Sequence, residues 1–571
     1  MPLKYSLSRF CAVCYFFIAL LFIFIGKLAL IQIFHSDYLT KLALKQHNVY
    51  MELPAQRGVI YDRNRRPLAV SVRSYSLFAV PGDVENKHGV AAALHDALGL
   101  NTEETLKRLQ TRRQFVWLKR KLSDKQAQFI READIKGLHL RKEYKRSYAN
   151  GHLAAHVLGF ADIDNKGLEG IERSCNDLLD GTSGYAFFVR DARQSPLRLE
   201  MSDKLPVDGY DVTLTIDLVV QNIAEKALDK AFEKYNAKGA SVVVMDVASG
   251  QILALANRPT YDANYPRDFP VEARRNRALC DFFEPGSVFK VVTAAAALEE
   301  GAFNEGDRIF CENGAYRVAS HILHDHRSHG WLSFSEVIQQ SSNIGTTKVA
   351  QKLGLATVHK YAHLFGFGSL TEIQFPGESA GMLKPLSAYS KTSIGAVPIG
   401  QEVAVTALQL AAAASVIANG GLYFKPYIIK EITDASGEII KENNNQCLRR
   451  VISSETSRRL GKILTGVVET GTGKMAQSKL YAFAGKTGTA QKIEPSGGYS
   501  HSKFFATFIG FAPAENPRIA ISVIFDEPHP YYYGGVVAAP VFKEVAEEAL
   551  QYIEVNEKIN KFAALSNTDI E

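Results

Sequence analysis

The chain has 571 residues, 46% hydrophobic and 22% charged. That is the balance of a globular protein: it excludes wholesale disorder and collagen-like or coiled-coil repeats, and it leaves room for about three or four domain-sized units. Basic side chains number 66 and acidic ones 60, a net charge of +6, too small and too dispersed to argue for a nucleic-acid partner.

Only one stretch is apolar enough to span a bilayer, which argues against a polytopic membrane protein. Phe10 to Gly26 carries no charge, Lys27 follows, and Leu28–Phe34 is apolar again. As one helix, 10–34 is about 37 Å long against a hydrocarbon core of about 30 Å, and Lys27 can extend its ammonium to the interface. A cleavable signal peptide has an apolar core of about 7–15 residues and a small-x-small cleavage site; neither is present. Lys4 and Arg9, with no acid before the helix, favour a short cytoplasmic N-terminus, 1–9, although Lys41 and Lys45 on the far side dilute that bias. The expectation is a single-pass transmembrane anchor, 10–34, with the rest of the chain outside the cytoplasm. Six cysteines, at 11, 14, 175, 280, 311 and 447, are too sparse for a disulfide framework. Cys11 and Cys14 lie inside the apolar run and read as small apolar side chains.

Residues 46–208 are expected to form a non-catalytic domain of mixed α+β character. Arg57–Ala69 reads as a hairpin around the polar turn Asp62–Arg66. Residues 83–135 read as helical, with capping-box spacing at Asn101–Glu104 and Ser123–Gln126. Residues 138–208 read as irregular and glycine-rich, without catalytic spacing.

The character changes at Asp211–Thr215. Asp217 is placed to cap a helix running to about Tyr235 and ended by Gly239. Ser241–Val247 and Ile252–Ala256 read as strands about the turn Ala248–Gln251. Helices are predicted near 288–299, 333–353, 403–418 and 454–469, strands at Phe504–Phe511 and Arg518–Asp526, and a last helix near 540–553. Strands at both ends with helices between them predict one α/β (α+β) domain, 210–555, whose sheet draws on both ends of the segment. Residues 556–571 read as a short flexible tail, with no further module expected.

Three motifs occur in order inside this last domain: Ser287-Val-Phe-Lys290 after Glu284-Pro-Gly286, Ser341-Ser-Asn343 after Trp331–Gln340, and Lys486-Thr-Gly-Thr489 at the end of an expected strand Leu480–Gly485. Pro-Gly redirects the chain and the alanine-rich run Val291–Leu298 is a good helix former. Ser287 is therefore expected at a helix N-terminus with Lys290 one turn on along the same face. Each motif alone is common; the ordered set is specific.

The set resembles the Ser-x-x-Lys, Ser-x-Asn and Lys-Thr-Gly motifs of penicillin-binding proteins and serine β-lactamases. Further segments resemble the class B, division type (the penicillin-binding protein 3 type): Arg57-Gly58, Asp62-Arg-Asn64, Ala155–Phe160, Gly170–Glu172, Leu179–Gly181, Phe283–Ser287, Asp526–Pro528 and Tyr533–Phe542. Arg65 departs from that family, whose turn usually continues there with glycine. The resemblance implies a transpeptidase domain of the serine β-lactamase-like fold, preceded by a pedestal or dimerisation-type domain, in a bacterial cytoplasmic membrane. It implies a peptidoglycan D,D-transpeptidase of septal wall synthesis, inhibited covalently by β-lactams, with no cofactor and no metal.

Acyl transfer from D-Ala-D-Ala needs a nucleophile, a proton acceptor, an oxyanion site and a grip on the terminal carboxylate. Ser287 is the expected nucleophile and Lys290 the nearest base. An ordinary lysine is neutral in only about one molecule in 2,500 at pH 7, so the role demands a shift of ~3 units, roughly 4 kcal/mol. Burial and a second cation act in that direction, and Lys486 is expected to be that cation. Ser341 is assigned to carry the proton to the leaving amine, and Asn343 to hold the substrate's peptide amide. Lys486, Thr487 and Thr489 are assigned to bind the carboxylate, and Gly488 to let the substrate lie along the strand edge. The backbone N–H groups of Ser287 and Thr489 as oxyanion hole are implied by the resemblance.

Other readings stand beside these. His321, His324, His326 and His329, with Asp325, have the composition of a zinc site, but the spacing suits a loop beside the active site as well, and Asp325-His326 matches a family loop that needs no metal. Tyr531–Tyr533 reads as packing rather than a sugar platform. In the same site, D,D-carboxypeptidase or β-lactamase hydrolysis competes with transfer. A binding-only sensor or scaffold is the reading from another class. The resemblance implies as partners peptidoglycan stem peptides, β-lactams, a polytopic shape-and-division glycosyltransferase and other division proteins.

Overall fold

The structure, a computed structural model, describes residues 3–39, 48–190, 196–494 and 497–568. The expected domain start at 46, Lys41 and Lys45, and the last three residues of the expected tail lie outside them. Two compact units share the chain: one is residues up to 56 with 181–208, the other 57–180 with 209–571.

In the first unit, helix α1 (Leu3–Ala29) continues through a π-helical turn, Leu30–Phe34. Its stretch Leu7–Phe34, 28 residues of mean hydropathy 2.5, is long and apolar enough to cross a membrane. Strands Asn48–Leu53, Gly184–Arg190 and Pro196–Lys204 pair antiparallel in one sheet. Two of them lie in the stretch expected to be irregular.

The second unit holds two large sheets. The first contains β1 (Ile60–Tyr61), β2 (Pro67–Ala79), β3 (Val116–Leu122), β4 (Leu138–Tyr148), β5 (Asp211–Leu214), β8 (Ile429–Thr433) and β9 (Ile439–Glu442). Its order is β9-β8-β5-β1-β2-β3, with β4 on the free side of β2. β1 pairs in parallel with β5, Ile60 opposite Val212 and Tyr61 opposite Thr213. One hydrogen-bonded sheet therefore crosses the boundary expected at 208–210, which is why 57–180 and 209–571 form a single unit. Helices α2 (Lys87–Leu98), α3 (Thr102–Leu109) and α4 (Asp124–Ala133) pack Leu94, Leu98, Leu109 and Ile130 on Leu77, Ala79 and Leu138 of this sheet. Ser123 and Gln126 form the complete capping box, whereas at Asn101 only the bond from Glu104 N is made. β3 interrupts the region expected to be helical, and β4 replaces one expected to be irregular. Both carry runs of consecutive charges, Lys119–Lys121 and Arg141–Glu143, that fall on both faces and break the period-2 alternation. The hairpin turn is closed by Asp62 Oδ1, which accepts from the N–H of Asn64 and Arg66 at 2.8 Å. Arg65 holds φ +61° there, the conformation glycine would adopt without cost, and its guanidinium lies 2.7 Å from Glu431.

The second sheet, β6 (Gly239–Asp246), β7 (Ile252–Arg258), β10 (Ala484–Ile493), β11 (Tyr499–Ala512) and β12 (Ile519–Asp526), is antiparallel throughout in the order β7-β6-β12-β11-β10. It takes strands from both ends of the segment. Successive residues alternate between two cores: Val242 and Val244 face helices α5 (Leu218–Lys234) and α11 (Gly534–Thr568), while Val243 and Met245 face α6 (Lys290–Glu299), α9 (Ala407–Ala418) and α10 (Ser454–Glu469). Burial on both faces is why these strands read as continuous apolar runs. Asp217 caps α5 by accepting from Val219 and Val220 N–H. The helix expected over 333–353 is two, α7 (Phe334–Gln339) and α8 (Asn343–Leu353), broken where the second motif falls. α11 begins earlier than 540 and runs through the stretch expected to be a loose tail, with Arg518 paired to Glu557.

Candidate active site

The first motif sits on a 3-10 turn, Gly286–Phe289, that continues directly into α6. In such a turn side chains i and i+3 eclipse, so Ser287 and Lys290 stand on one face. Gly286 has φ +54°, and a Cβ there would lie 2.9 Å from Thr489 O; only glycine lets the turn Gly286–Phe289 press this closely on β10. Ser287 is half-buried, while Lys290, at the head of an alanine-lined core helix, has 0% exposure.

Lys290 Nζ donates to Ser341 O at 2.6 Å, Asn343 Oδ1 at 2.7 Å and Ser341 Oγ at 3.2 Å. Three acceptors match the three donors of a charged ammonium. Ser287 is not among them. Burial lowers the Lys290 amine to about 7, against the pull of the nearby Asp325 carboxylate. Lys486 also has 0% exposure and donates to Ser341 Oγ at 3.0 Å and Thr487 O at 3.0 Å. Burial first, then the Lys290 cation, hold its amine well below the ordinary lysine range. Burial is thus the main cause at both amines, and the neighbouring cation adds to it at Lys486 rather than at Lys290.

Ser341 joins the two amines. It follows α7 with φ +60°, in the left-handed conformation where a helix usually ends on glycine. An L-residue holding that conformation pays roughly 1 kcal/mol, and here its hydroxyl lies between two buried lysines. Ser342 caps α8, and Asn343 is that helix's first residue.

Asp325, which the sequence assigns no catalytic role, anchors the head of α8. Its carboxylate accepts from Ser342 Oγ at 2.6 Å and from the N–H of Asn343 and Ile344 at 2.5 and 3.0 Å, while Asn343 Nδ2 donates to His324 O at 2.9 Å. The loop 324–326 thereby fixes the Asn343 amide that receives Lys290. At 18 residues' separation no local pattern signals this. His326 packs its ring 5.3 Å from Tyr533. Among the described residues no group of three or more His, Cys, Asp or Glu is gathered as a metal would require.

The third motif lies in the middle of β10, the free edge of its sheet, rather than at a strand's end. A Cβ on Gly488 would meet Val288 Cγ2 at 2.7 Å and Pro285 O at 2.8 Å. The glycine therefore admits the turn Gly286–Phe289, where the sequence argues for clearance of a substrate. Thr487 Oγ1 is 2.7 Å from Thr472 Oγ1, a residue the sequence reading missed, and Thr489 Oγ1 accepts from Gly534 N–H at 3.1 Å. Accepting that bond leaves the Thr489 O–H to donate outward. All eight expected site residues, Ser287, Lys290, Ser341, Asn343 and Lys486–Thr489, are thus gathered between α6, the head of α8 and β10.

Residues 240–547 match the penicillin binding protein transpeptidase domain, and residues 52–214 the penicillin-binding protein dimerisation domain. The chain belongs to the penicillin-binding transpeptidases. This transpeptidase chain is 35% identical to stage V sporulation protein D of Bacillus subtilis over 94% of its own length and 84% of that protein's. It is 35% identical to the probable peptidoglycan D,D-transpeptidase PenA of Neisseria gonorrhoeae, covering 88% and 86%, and 31% identical to the peptidoglycan D,D-transpeptidase FtsI of Escherichia coli K12, covering 96% and 92%. Among solved structures it is similar to penicillin-binding protein 3 of Mycobacterium tuberculosis complexed with aztreonam, with TM-score 0.70 at 29% identity over 88% of this chain and 98% of that one.

Proposed function

We propose that this transpeptidase cross-links peptidoglycan by acyl transfer from a D-Ala-D-Ala stem peptide through an ester on Ser287. The observation that carries the reading is the hydroxyl of Ser341 lying 3.2 Å from Lys290 Nζ and 3.0 Å from Lys486 Nζ, both amines fully buried. Ser287 Oγ attacks the penultimate D-alanine carbonyl as its proton passes to uncharged Lys290. The oxyanion forms against the N–H groups of Ser287 and Thr489. As the C–N bond breaks, the proton travels from Lys290 by way of Ser341 to the leaving D-alanine nitrogen. The acceptor amine of a neighbouring stem peptide then attacks the ester, its proton returns along the same path, and Ser287 is regenerated. Asn343 holds the donor's peptide amide, and Thr487, Thr489 and Lys486 receive the terminal carboxylate. A β-lactam acylates Ser287 in the same way, but its leaving amine stays tethered, so the adduct persists.

The apolar helix Leu7–Phe34 is read as a single inner-membrane anchor with the N-terminus cytoplasmic and the catalytic residues outside. Similarity to FtsI and to a sporulation protein supports work at a septum, beside a polytopic glycan polymerase and other division proteins. The test is mass spectrometry of the full chain after β-lactam treatment. The adduct is expected on the peptide containing Ser287 and absent in Ser287→Ala; an adduct elsewhere, or none on folded protein, overturns the reading. Release of D-alanine that rises with an added acceptor amine marks transfer, and release that ignores the amine marks hydrolysis.

A further inference from the structure

The sheet β2–β3–β4 is covered on one face by α2–α4. On the other face Phe78 of β2 pairs in register with Trp117 of β3 and with His139 of β4, so three rings form a row across three strands. The ring centroids of Phe78 lie 6.0 Å from Trp117 and 5.3 Å from His139, and Phe115 caps the row at 4.7 Å from Phe78 and 4.8 Å from Trp117. Phe115 and His139 are exposed and the other two rings half-buried. The open face of an antiparallel sheet ordinarily carries polar side chains, so a continuous aromatic row there marks a contact surface. Guanidiniums border it. Arg120 lies 5.3 Å over the Trp117 ring with its guanidinium paired to Glu143 and Asp164, and Arg112 and Arg113 are exposed in the turn just before Phe115.

We propose that this row binds glycan strands of the cell-wall polymer. The inference rests on the transpeptidase reading for the identity of that polymer. The C–H face of a sugar ring presents weakly positive hydrogens, and the face of an aromatic ring is weakly negative. A pyranose therefore stacks on the exposed Phe115 and His139 rings at the ends of the row and keeps its hydroxyls at the edge, in water. Strands about 4.8 Å apart make the row roughly 10 Å long, room for more than one sugar. The exposed Arg112 and Arg113 suit the carboxylates of stem peptides, which guanidiniums take bidentately. Protein partners usually anchor aromatic and aliphatic side chains in a packed, water-free pocket; this surface is an open row on a sheet face, with Trp117 edge-on to Phe78 and Phe115. A second hold on the polymer, away from the cleft, raises the local concentration of stem peptides at Ser287.

The test uses the full chain in detergent with its cleft blocked by a β-lactam. Purified uncross-linked glycan strands, with and without stem peptides, are the probes. Trp331→Phe leaves Trp117 as the only tryptophan of the two, and its fluorescence is expected to shift on titration with either strand. Trp117→Ala is expected to weaken strand retention at least tenfold. Arg112→Ala with Arg113→Ala is expected to weaken only the strands that carry stem peptides, about fivefold. Because Trp117→Ala is itself able to disturb the sheet, Phe115→Ala, at the exposed end of the row, is measured beside it, and each variant's melting temperature and β-lactam acylation rate are expected to match the parent's. Strand binding that ignores both ring substitutions, or a Trp117 signal that answers an acidic protein and no glycan, overturns the proposal. Loss of acylation in the parent chain overturns the transpeptidase reading instead, so the two failures are distinguishable.

Discussion

At the scale of single residues, the site depends on amines kept out of water. With burial holding Lys290 at about 7, the uncharged fraction that can accept the Ser287 proton grows as pH rises through neutrality. The second-order rate of β-lactam acylation is therefore expected to climb roughly tenfold per unit below pH 6 and to level off above pH 8; an inflection near 10 contradicts a buried base. Asp325 pulls the Lys290 value upward, so Asp325→Asn is expected to move the inflection below 7, read from the same pH series. Ser341 gives a prediction of opposite signs. Replacing it with glycine relieves the left-handed backbone and is expected to raise stability by about 1 kcal/mol in denaturant titration. The same change removes the bridging hydroxyl and is expected to slow acylation at least a hundredfold. A stabilised but inactive Ser341→Gly protein would show that the strain is retained for chemistry.

Elements place these residues by close approach rather than by direct bonding. The turn Gly286–Phe289 and strand β10 meet at two glycines, with Gly488 leaving no room for a Cβ against Val288 and Pro285. Gly488→Ala is therefore expected to push the nucleophile turn from the strand and cut acylation more than tenfold, while the helices keep their circular-dichroism signal. The head of α8 depends on a carboxylate from a separate hairpin, since Asp325 receives the N–H groups of Asn343 and Ile344. Asp325→Ala is expected to cost about 1 kcal/mol of stability, the usual loss on removing a helix cap, and to slow acylation because the Asn343 amide loses its anchor. Restoring a cap with Asp325→Asn should recover the stability, and the shifted pH inflection would then report the charge alone.

For the whole molecule, the first large sheet ties 57–180 to the catalytic segment, and a buried ion cluster reinforces that part of the chain. Glu172, with 0% exposure, receives Arg57 Nε at 2.6 Å and Arg146 Nε at 2.6 Å. Glu172→Ala leaves two buried guanidiniums without their shared anion and is expected to cost roughly 3–5 kcal/mol, measured by denaturant unfolding of the soluble part of the chain. Much of the architecture was legible in the sequence: the apolar helix, the cap at Asp217, strands at both ends of the catalytic segment and helix 454–469 all follow from local periodicity and capping, which act within a turn or two. The spacing Ser287–Lys290 was legible for the same reason, because i and i+3 share a face in any tight helical turn. Strands β3 and β4 were not, since consecutive charges at Lys119–Lys121 and Arg141–Glu143 break the alternation that marks a strand. Nor was the pairing of β1 with β5, because a two-residue strand meeting a partner about 150 residues away leaves no local mark. The sequence by itself determined which chemical groups the protein carries and their order along the chain. Only the tertiary structure decided that Ser341 stands between two lysines and that Asp325 holds Asn343. It also decided that burial, more than a neighbouring charge, discharges Lys290. Those outcomes come from desolvation and contact between segments remote in sequence, which exist only once the core has closed.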